Sequence, residues 1–267
     1  MKYSRKASMP LTYKLGIGFL ACGGLSLALS YPLTSQILAL MGLGLSFWGA
    51  LFLVITSTRY VEASLLSYNL SSSYYNADRI IRNLDCKGKG VHVPSYPPDV
   101  YLPDHLRGLK EAVVFIPNSE ELITTPSIDE LAKGKFVVDN PKGILLIPPG
   151  LQLLTIIEEK TKTDFTRTAL VDLCEILPKR VLDNFSLAKE ITLISKNDEV
   201  LLNIRDSIYK DLYGQGLKSI NLLGCPIVSA IACAIAKSSG KPVTISGIKY
   251  TPDDLVTQAK YKINVSE

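Results

Sequence analysis

Residues 11–56 read LTYKLGIGFLACGGLSLALSYPLTSQILALMGLGLSFWGALFLVIT, and Lys14 is the one charge among them. Two apolar runs, 15–29 (extendable back to Leu11) and 37–56, each approach the roughly 20 residues that cross about 30 Å of hydrocarbon. Between them Ser30-Tyr31-Pro32-Leu33-Thr34-Ser35 carries a proline that ends the first helix and polar side chains that serve the freed backbone groups. Two spans joined this tightly form a hairpin with both outer ends on one side. The stretch fixes a helical anchor over residues 11–57, and the rest of the chain is read from it.

Charge orients the anchor. Lys2, Arg5, Lys6 and Lys14 precede the first span and Arg59 follows the second, while the connecting loop carries no charge. The positive-inside rule places both termini in the cytoplasm, making residues 1–10 a basic cytoplasmic tail. Tyr3, Tyr13 and Tyr60 stand where interfacial aromatics belong, with Tyr31 at the opposite boundary. A cleaved signal peptide would account for the first run and leave the second unexplained. Neither span has an ionisable interior residue, which argues against a channel or transporter built from this chain alone. Gly16, Gly18, Gly23, Gly24, Gly42, Gly44 and Gly49 allow close helix approach, so the spans pack on one another or present glycine faces to a protein partner or a second copy. The environment implied is a lipid bilayer in the cell membrane.

Beyond the anchor the 267-residue chain has an ordinary mix of residues, although overall it is 47% apolar. Residues 58–90 read as a membrane-proximal helix and linker. The helix runs from Arg59 to Leu84, and its apolar positions are Val61, Leu65, Leu66, Tyr68, Tyr75, Ile80, Ile81 and Leu84. Residues 91–267 read as a cytosolic domain. Val93-Pro94-Ser95-Tyr96-Pro97-Pro98, with Pro103, is an extended connector. Strands are expected at 112–116, 136–138 and 143–147, and helices at 151–160 and 166–182, the second split or kinked at Pro178. A hairpin turns at Lys196-Asn197-Asp198-Glu199 and another at Thr251-Pro252-Asp253-Asp254. Helices near 207–217 and 226–237 lie between them. The fold class is α+β: a transmembrane hairpin, then a mainly antiparallel sheet with packed helices.

Gly224-Cys225-Pro226-Ile227-Val228-Ser229-Ala230-Ile231-Ala232-Cys233-Ala234-Ile235-Ala236 is apolar around its whole circumference, so it should be a buried helix, with Pro226 at its first position and Gly240 at its stop. Cys225 would stand at the N-cap, where free amides and the helix dipole favour a thiolate, and is the one candidate for a reactive group. Gly224, Cys225, Ser229 and Lys241 are the ligand-binding candidates, an anion at the helix start being the simplest ligand. The plain reading of Cys225 is a small buried hydrophobe. Only His92 and His105 exist to serve as a base, and with Asp104 they lack a third spaced ligand for a metal. Glu158, Glu159 and Asp164 read as a solvated carboxylate face. Five cysteines without framework spacing indicate reduced thiols. A net charge of +4 without a basic stripe interleaved with aromatics gives no sign of nucleic-acid binding. No cofactor or metal motif stands out.

The segments Gly143-Ile144-Leu145-Leu146-Ile147-Pro148-Pro149-Gly150 and Leu223-Gly224-Cys225-Pro226-Ile227-Val228-Ser229, ahead of Gly240-Lys241-Pro242-Val243, resemble those of uncharacterised archaeal membrane proteins that share a two-span anchor. The resemblance implies an archaeal origin and carries over no catalytic residue. The expected function is a membrane-anchored binding or scaffolding domain, with ligand sensing as one form of it. The alternatives are an enzyme centred on the start of the Pro226 helix and an accessory subunit of a larger membrane complex.

Overall fold

A computed structural model describes residues 11–55, 63–95, 109–120 and 125–264. The basic tail, Arg59, Tyr60, Val61, the prolines at 97, 98 and 103, Asp104 and His105 lie outside the described residues. The chain forms two compact units, residues 1–61 and 62–267.

In the first unit, α1 (Leu11–Ser30) and α2 (Gln36–Ile55) are 20 residues each. At 1.5 Å per residue each is about 30 Å long, the thickness of a bilayer core. They pack antiparallel through glycines. A Cβ on Gly42 would come within 2.8 Å of the Leu27 side chain and 2.9 Å of the Gly23 carbonyl, and one on Gly49 within 2.7 Å of the Leu20 amide. Phe19 and Phe52 stack with centroids 5.8 Å apart. Leu25, Ile37, Leu40, Phe47 and Val54 point outward and exposed, an apolar surface suited to lipid.

The second unit is one eight-stranded antiparallel sheet in the order β3-β4-β2-β1-β7-β8-β6-β5. Its strands are β1 (Val91–Val93), β2 (Val113–Pro117), β3 (Val137–Asp139), β4 (Lys142–Leu146), β5 (Glu190–Lys196), β6 (Glu199–Arg205), β7 (Val243–Thr251) and β8 (Val256–Ile263). Helices α3 (Ala63–Asn83), α5 (Leu151–Thr161), α6 (Leu170–Phe185), α7 (Lys218–Leu223) and α8 (Pro226–Ser239) contribute to the core on one face, and short α4 (Ile128–Ala132) covers the other face of the β1–β4 half. The opposite face of the β5–β8 half is open. Alternation shows this directly: in β8 Thr257, Ala259, Tyr261 and Ile263 are buried, while Gln258, Lys260 and Lys262 are exposed.

At the centre lies α8, with every residue from Pro226 to Ala236 buried. Each fully buried Ile or Val adds about 1.5–3 kcal/mol, so Ile227, Val228, Ile231 and Ile235 together contribute on the order of 6–12 kcal/mol. The helix sits so close to the start of α5 that a Cβ on Gly150 would overlap the backbone of Pro226 and Ala230. Residues 218–239 are long and apolar enough in sum to cross a membrane, as are α1 and α2. They are broken at Gly224-Cys225 into two helices and are 89% buried inside the domain, against 11% for each of the first two candidates.

Several expectations need correction. The helix foreseen at 207–217 is a 3₁₀ turn, Lys210–Gln215, followed by α7; Gly216 takes φ +64°, which ends the turn. Pro178 is accommodated inside an unbroken α6. Strand β1 and helix α4 had no counterpart in the sequence reading. In α3 the buried residues are Ser67, Ser71, Tyr74, Asp78 and Ile81, while Leu65, Leu66, Tyr68, Tyr75 and Leu84 are exposed. The deep face of α3 is polar because it binds backbone and polar groups of the 208–224 segment.

The anchor packing is testable through Trp48, the only tryptophan. Gly49→Leu should lower the heat-unfolding midpoint of the detergent-extracted chain read by Trp48 fluorescence. Gly44→Leu, with nothing within 4 Å of its Cβ, should leave that midpoint unchanged.

Candidate functional site

The start of α8 is built from four directions. Cys225 occupies the N-cap with extended backbone (φ −68°, ψ 168°), and Pro226 follows at the first helical position. From α3, the Tyr74 hydroxyl donates to the Gly224 carbonyl at 2.7 Å. From β8, the Tyr261 hydroxyl donates to the Val228 carbonyl at 2.9 Å. From the 3₁₀ turn, the buried Tyr213 hydroxyl faces the Cys225 thiol without a well-formed hydrogen bond. Around these, Ser219 donates from its hydroxyl to the Tyr74 carbonyl and from its amide to Asp78, both at 2.9 Å.

Cys225 has no exposed surface. Burial pushes its thiol up; the Tyr213 hydroxyl and the amides of Val228 and Ile227 pull the other way and do not win. The thiol therefore stays protonated at neutral pH and out of solvent. Cys233, a little over two turns along α8, is pushed by burial to about 12.

Of the four ligand candidates, the structure brings three together. Gly224, Cys225 and Ser229 lie within the first turns of α8 and its cap. Lys241 lies past the C-cap Gly240, at the far end of a 14-residue helix that spans about 21 Å. The other nearby cation, Lys218, donates to the Cys86 carbonyl at 2.9 Å. Ser229 instead meets His92, whose Nε2 is 3.3 Å from its Oγ. The ring is buried, with Nδ1 unpartnered among the described residues, and burial lowers its pKa to about 3. A serine beside a neutral imidazole resembles the beginning of a nucleophile–base pair. Here no carboxylate orients the ring among the described residues, and both side chains are sealed in the core. Sequence reasoning missed the pair because β1 was not recognised as a strand, and only the β1 register turns His92 toward α8.

The carboxylates at the end of α5 do structural work. Glu158 is partly buried and accepts from Lys237 through both oxygens, at 2.7 and 2.9 Å, and from the Phe165 amide at 3.1 Å. Asp164 caps the 3₁₀ turn at Phe165–Arg167, accepting from the Thr166 amide at 2.9 Å. Glu159 and Asp164 are exposed, as expected of a solvated face, whereas Glu158 is a clamp between α5 and the last turn of α8. Among the described residues no three His, Cys, Asp or Glu side chains gather as metal ligands.

Concave surface lies elsewhere. Two adjoining hollows of about 460 and 600 Å³ share Asn203 and Gln258 on the open face of the β5–β8 half. They are the polar side of an antiparallel sheet, an ordinary solvated surface. A smaller hollow of about 270 Å³ is apolar, and the lining residue nearest to α8 in sequence is Leu223, two residues before the Cys225 cap. Helix α3 supplies Leu70, Ser73, Tyr74 and Ala77, the end of β4 supplies Leu146 with the adjoining Ile147 and Pro149, and α7 supplies Leu223. Tyr74 connects the two places, since its ring lines the hollow and its hydroxyl holds Gly224.

Fold and site define a class: an α+β domain behind two apolar helices long enough to cross a membrane, with an apolar hollow beside α3. The chain belongs to the family described as Domain of unknown function (DUF7982), whose match covers residues 4–261. No curated protein and no solved structure matches the chain significantly.

Two outcomes follow from the burial. Under native conditions alkylation should reach the half-buried Cys174 well before Cys225 and Cys233, which should react only on unfolding; equal rates would show that the α8 start opens to solvent. His92 binds its proton in the unfolded chain near pH 6.5 and in the folded chain only near 3, so between these values the unfolded state holds more protons and stability falls as pH falls. The slope approaches about 1.4 kcal/mol per pH unit for this one group. In chemical unfolding curves from pH 7 to 4, His92→Gln should lose that part of the acid sensitivity.

Proposed function

We propose that the protein is a membrane-anchored binding domain that holds a small apolar ligand in the hollow formed by α3, the β4–α5 connection and α7. The observation that carries this reading is the hollow itself, an apolar concavity of about 270 Å³ whose polar neighbours are Ser73 and Tyr74. Its position favours a sensing role. Tyr74 lines it and also fixes the start of the central helix, so a ligand pressing on that ring acts on the element around which the core is arranged.

The lysines and arginines at 2, 5, 6, 14 and 59, set against an uncharged inter-span loop, support a cytoplasmic domain with both termini on the cytoplasmic side. The resemblance to archaeal two-span proteins supports an archaeal cell membrane as its setting. An enzyme reading draws less support, because the Cys225 thiol and the Ser229–His92 pair are both closed to substrate. A role as a subunit of a larger assembly has one observation in its favour: Gly18, Gly24 and Gly44 have nothing within 4 Å, leaving glycine on the outside of the anchor for a partner or a second copy.

Native mass spectrometry of the gently extracted chain separates these readings. A bound small apolar molecule is expected on the wild type and should be lost in Ser73→Trp, which fills the hollow, with the unfolding midpoint retained. A stoichiometric protein partner without any adduct would replace the binding-domain reading with the subunit reading.

A further inference from the structure

The hollow is one segment of a longer apolar flank on α3. Leu66, Leu70, Ser73, Ala77, Ile80 and Leu84 recur at intervals of three and four, so they share one side of the helix, about 27 Å long. Leu70, Ala77 and Ile80 are half-buried against the core and Ser73 is exposed, whereas Leu66 at one end is 38% exposed and Leu84 at the other 36%. Beside the hollow Ile147 is 64% exposed, directly after β4. An aqueous domain gains nothing by leaving this row of aliphatic side chains uncovered. Tyr68 and Tyr75 lie on the other flank of α3, so the two exposed groups are separate surfaces.

The chain limits what can cover the aliphatic flank. Helix α2 ends at Ile55 and α3 begins at Ala63. Eight residue steps of at most about 3.5 Å keep the first turn of α3 within roughly 28 Å of the end of the span. An aliphatic flank on so short a tether has the headgroup and acyl boundary of a bilayer within reach to cover it, as interfacial helices do. We infer that the hollow beside α3 takes one hydrocarbon chain of a bilayer lipid, entering past the exposed Ile147. The inference rests on the binding-domain reading above and names the ligand class for the same hollow. Tyr74 closes the inner end, so chain length is sensed at the ring whose hydroxyl holds Gly224.

The test uses the full chain in vesicles of phosphatidylcholine containing a fraction of phosphatidylcholine with a diazirine midway along one acyl chain. After illumination, cross-links are expected within 66–84 and 143–149 as well as in the two spans. Ser73→Trp should reduce the former at least tenfold and leave the latter as an internal standard. Ile147→Ser, a change at an exposed side chain that leaves the core intact, should reduce them severalfold. Cross-links confined to α1 and α2, with a small apolar adduct still seen by native mass spectrometry, would overturn the lipid assignment and leave the binding-domain reading standing. Absence of both would remove that reading too. Labelling by a free diazirine fatty acid added to unlabelled vesicles, without labelling by the phospholipid, would assign the hollow to a soluble ligand and overturn the inference.

Discussion

A helix with no polar face imposes its needs on everything around it. Every residue of α8 from Pro226 to Ala236 is buried, so its surroundings must be dry, closely fitted and free of unmatched charge. That requirement explains Gly150, where any side chain would strike the α8 backbone. It also explains why the cap is a neutral thiol. The hydroxyls of Tyr74 and Tyr261, which reach in from α3 and β8, bring their rings as core and only their tips as hydrogen bonds. The first ion pair along the helix waits until Lys237, where the last turn meets Glu158 near the surface and a cation suits the helix dipole.

The parts of the fold that the sequence made legible carry a strong period. The two spans, the β5–β6 and β7–β8 hairpins and α8 itself each repeat one pattern long enough to identify it. Strand β1 is three residues long and flanked by Gly90 and Pro94, too short for alternation to register, and α4 is five residues. For α3 the apolar positions did not by themselves reveal the buried face. Ile81 is in the core while Leu65, Leu66 and Tyr68 are exposed, because the surface α3 meets is a run of turns around 208–224 whose backbone and polar groups demand partners, and Ser67, Ser71 and Asp78 supply them.

The candidate site was legible as a place and much less as a chemistry. The start of α8 was found from composition and from Pro226, whereas the apolar hollow is lined by α3, the β4–α5 connection and Leu223 and by none of the four residues singled out. What no linear reading supplies is which side chains meet there. Lys241 is close in sequence and a helix length away; His92 is 137 positions from Ser229 and in contact with it. The balance at Cys225 was likewise a matter of degree: helix amides lower a thiol, burial raises it, and only the closed shell around the sulfur decides between them.

The polar seam under α3 bears on how the molecule transmits force. Ser67 to the Ile208 carbonyl, Ser71 to Gln215, Tyr74 to Gly224 and Asp78 to Ser219 form a ladder of contacts spaced along one helix, beginning at the end nearest the anchor. Hydrogen bonds of this kind are each worth about 1 kcal/mol. A tug on the anchor therefore loads the rungs one after another, starting at Ser67, as a zip fastener opens from one end. Opening along α3 would reach the dry interior only at Tyr74 and Ile81, after Ser67 and Ser71 had let go.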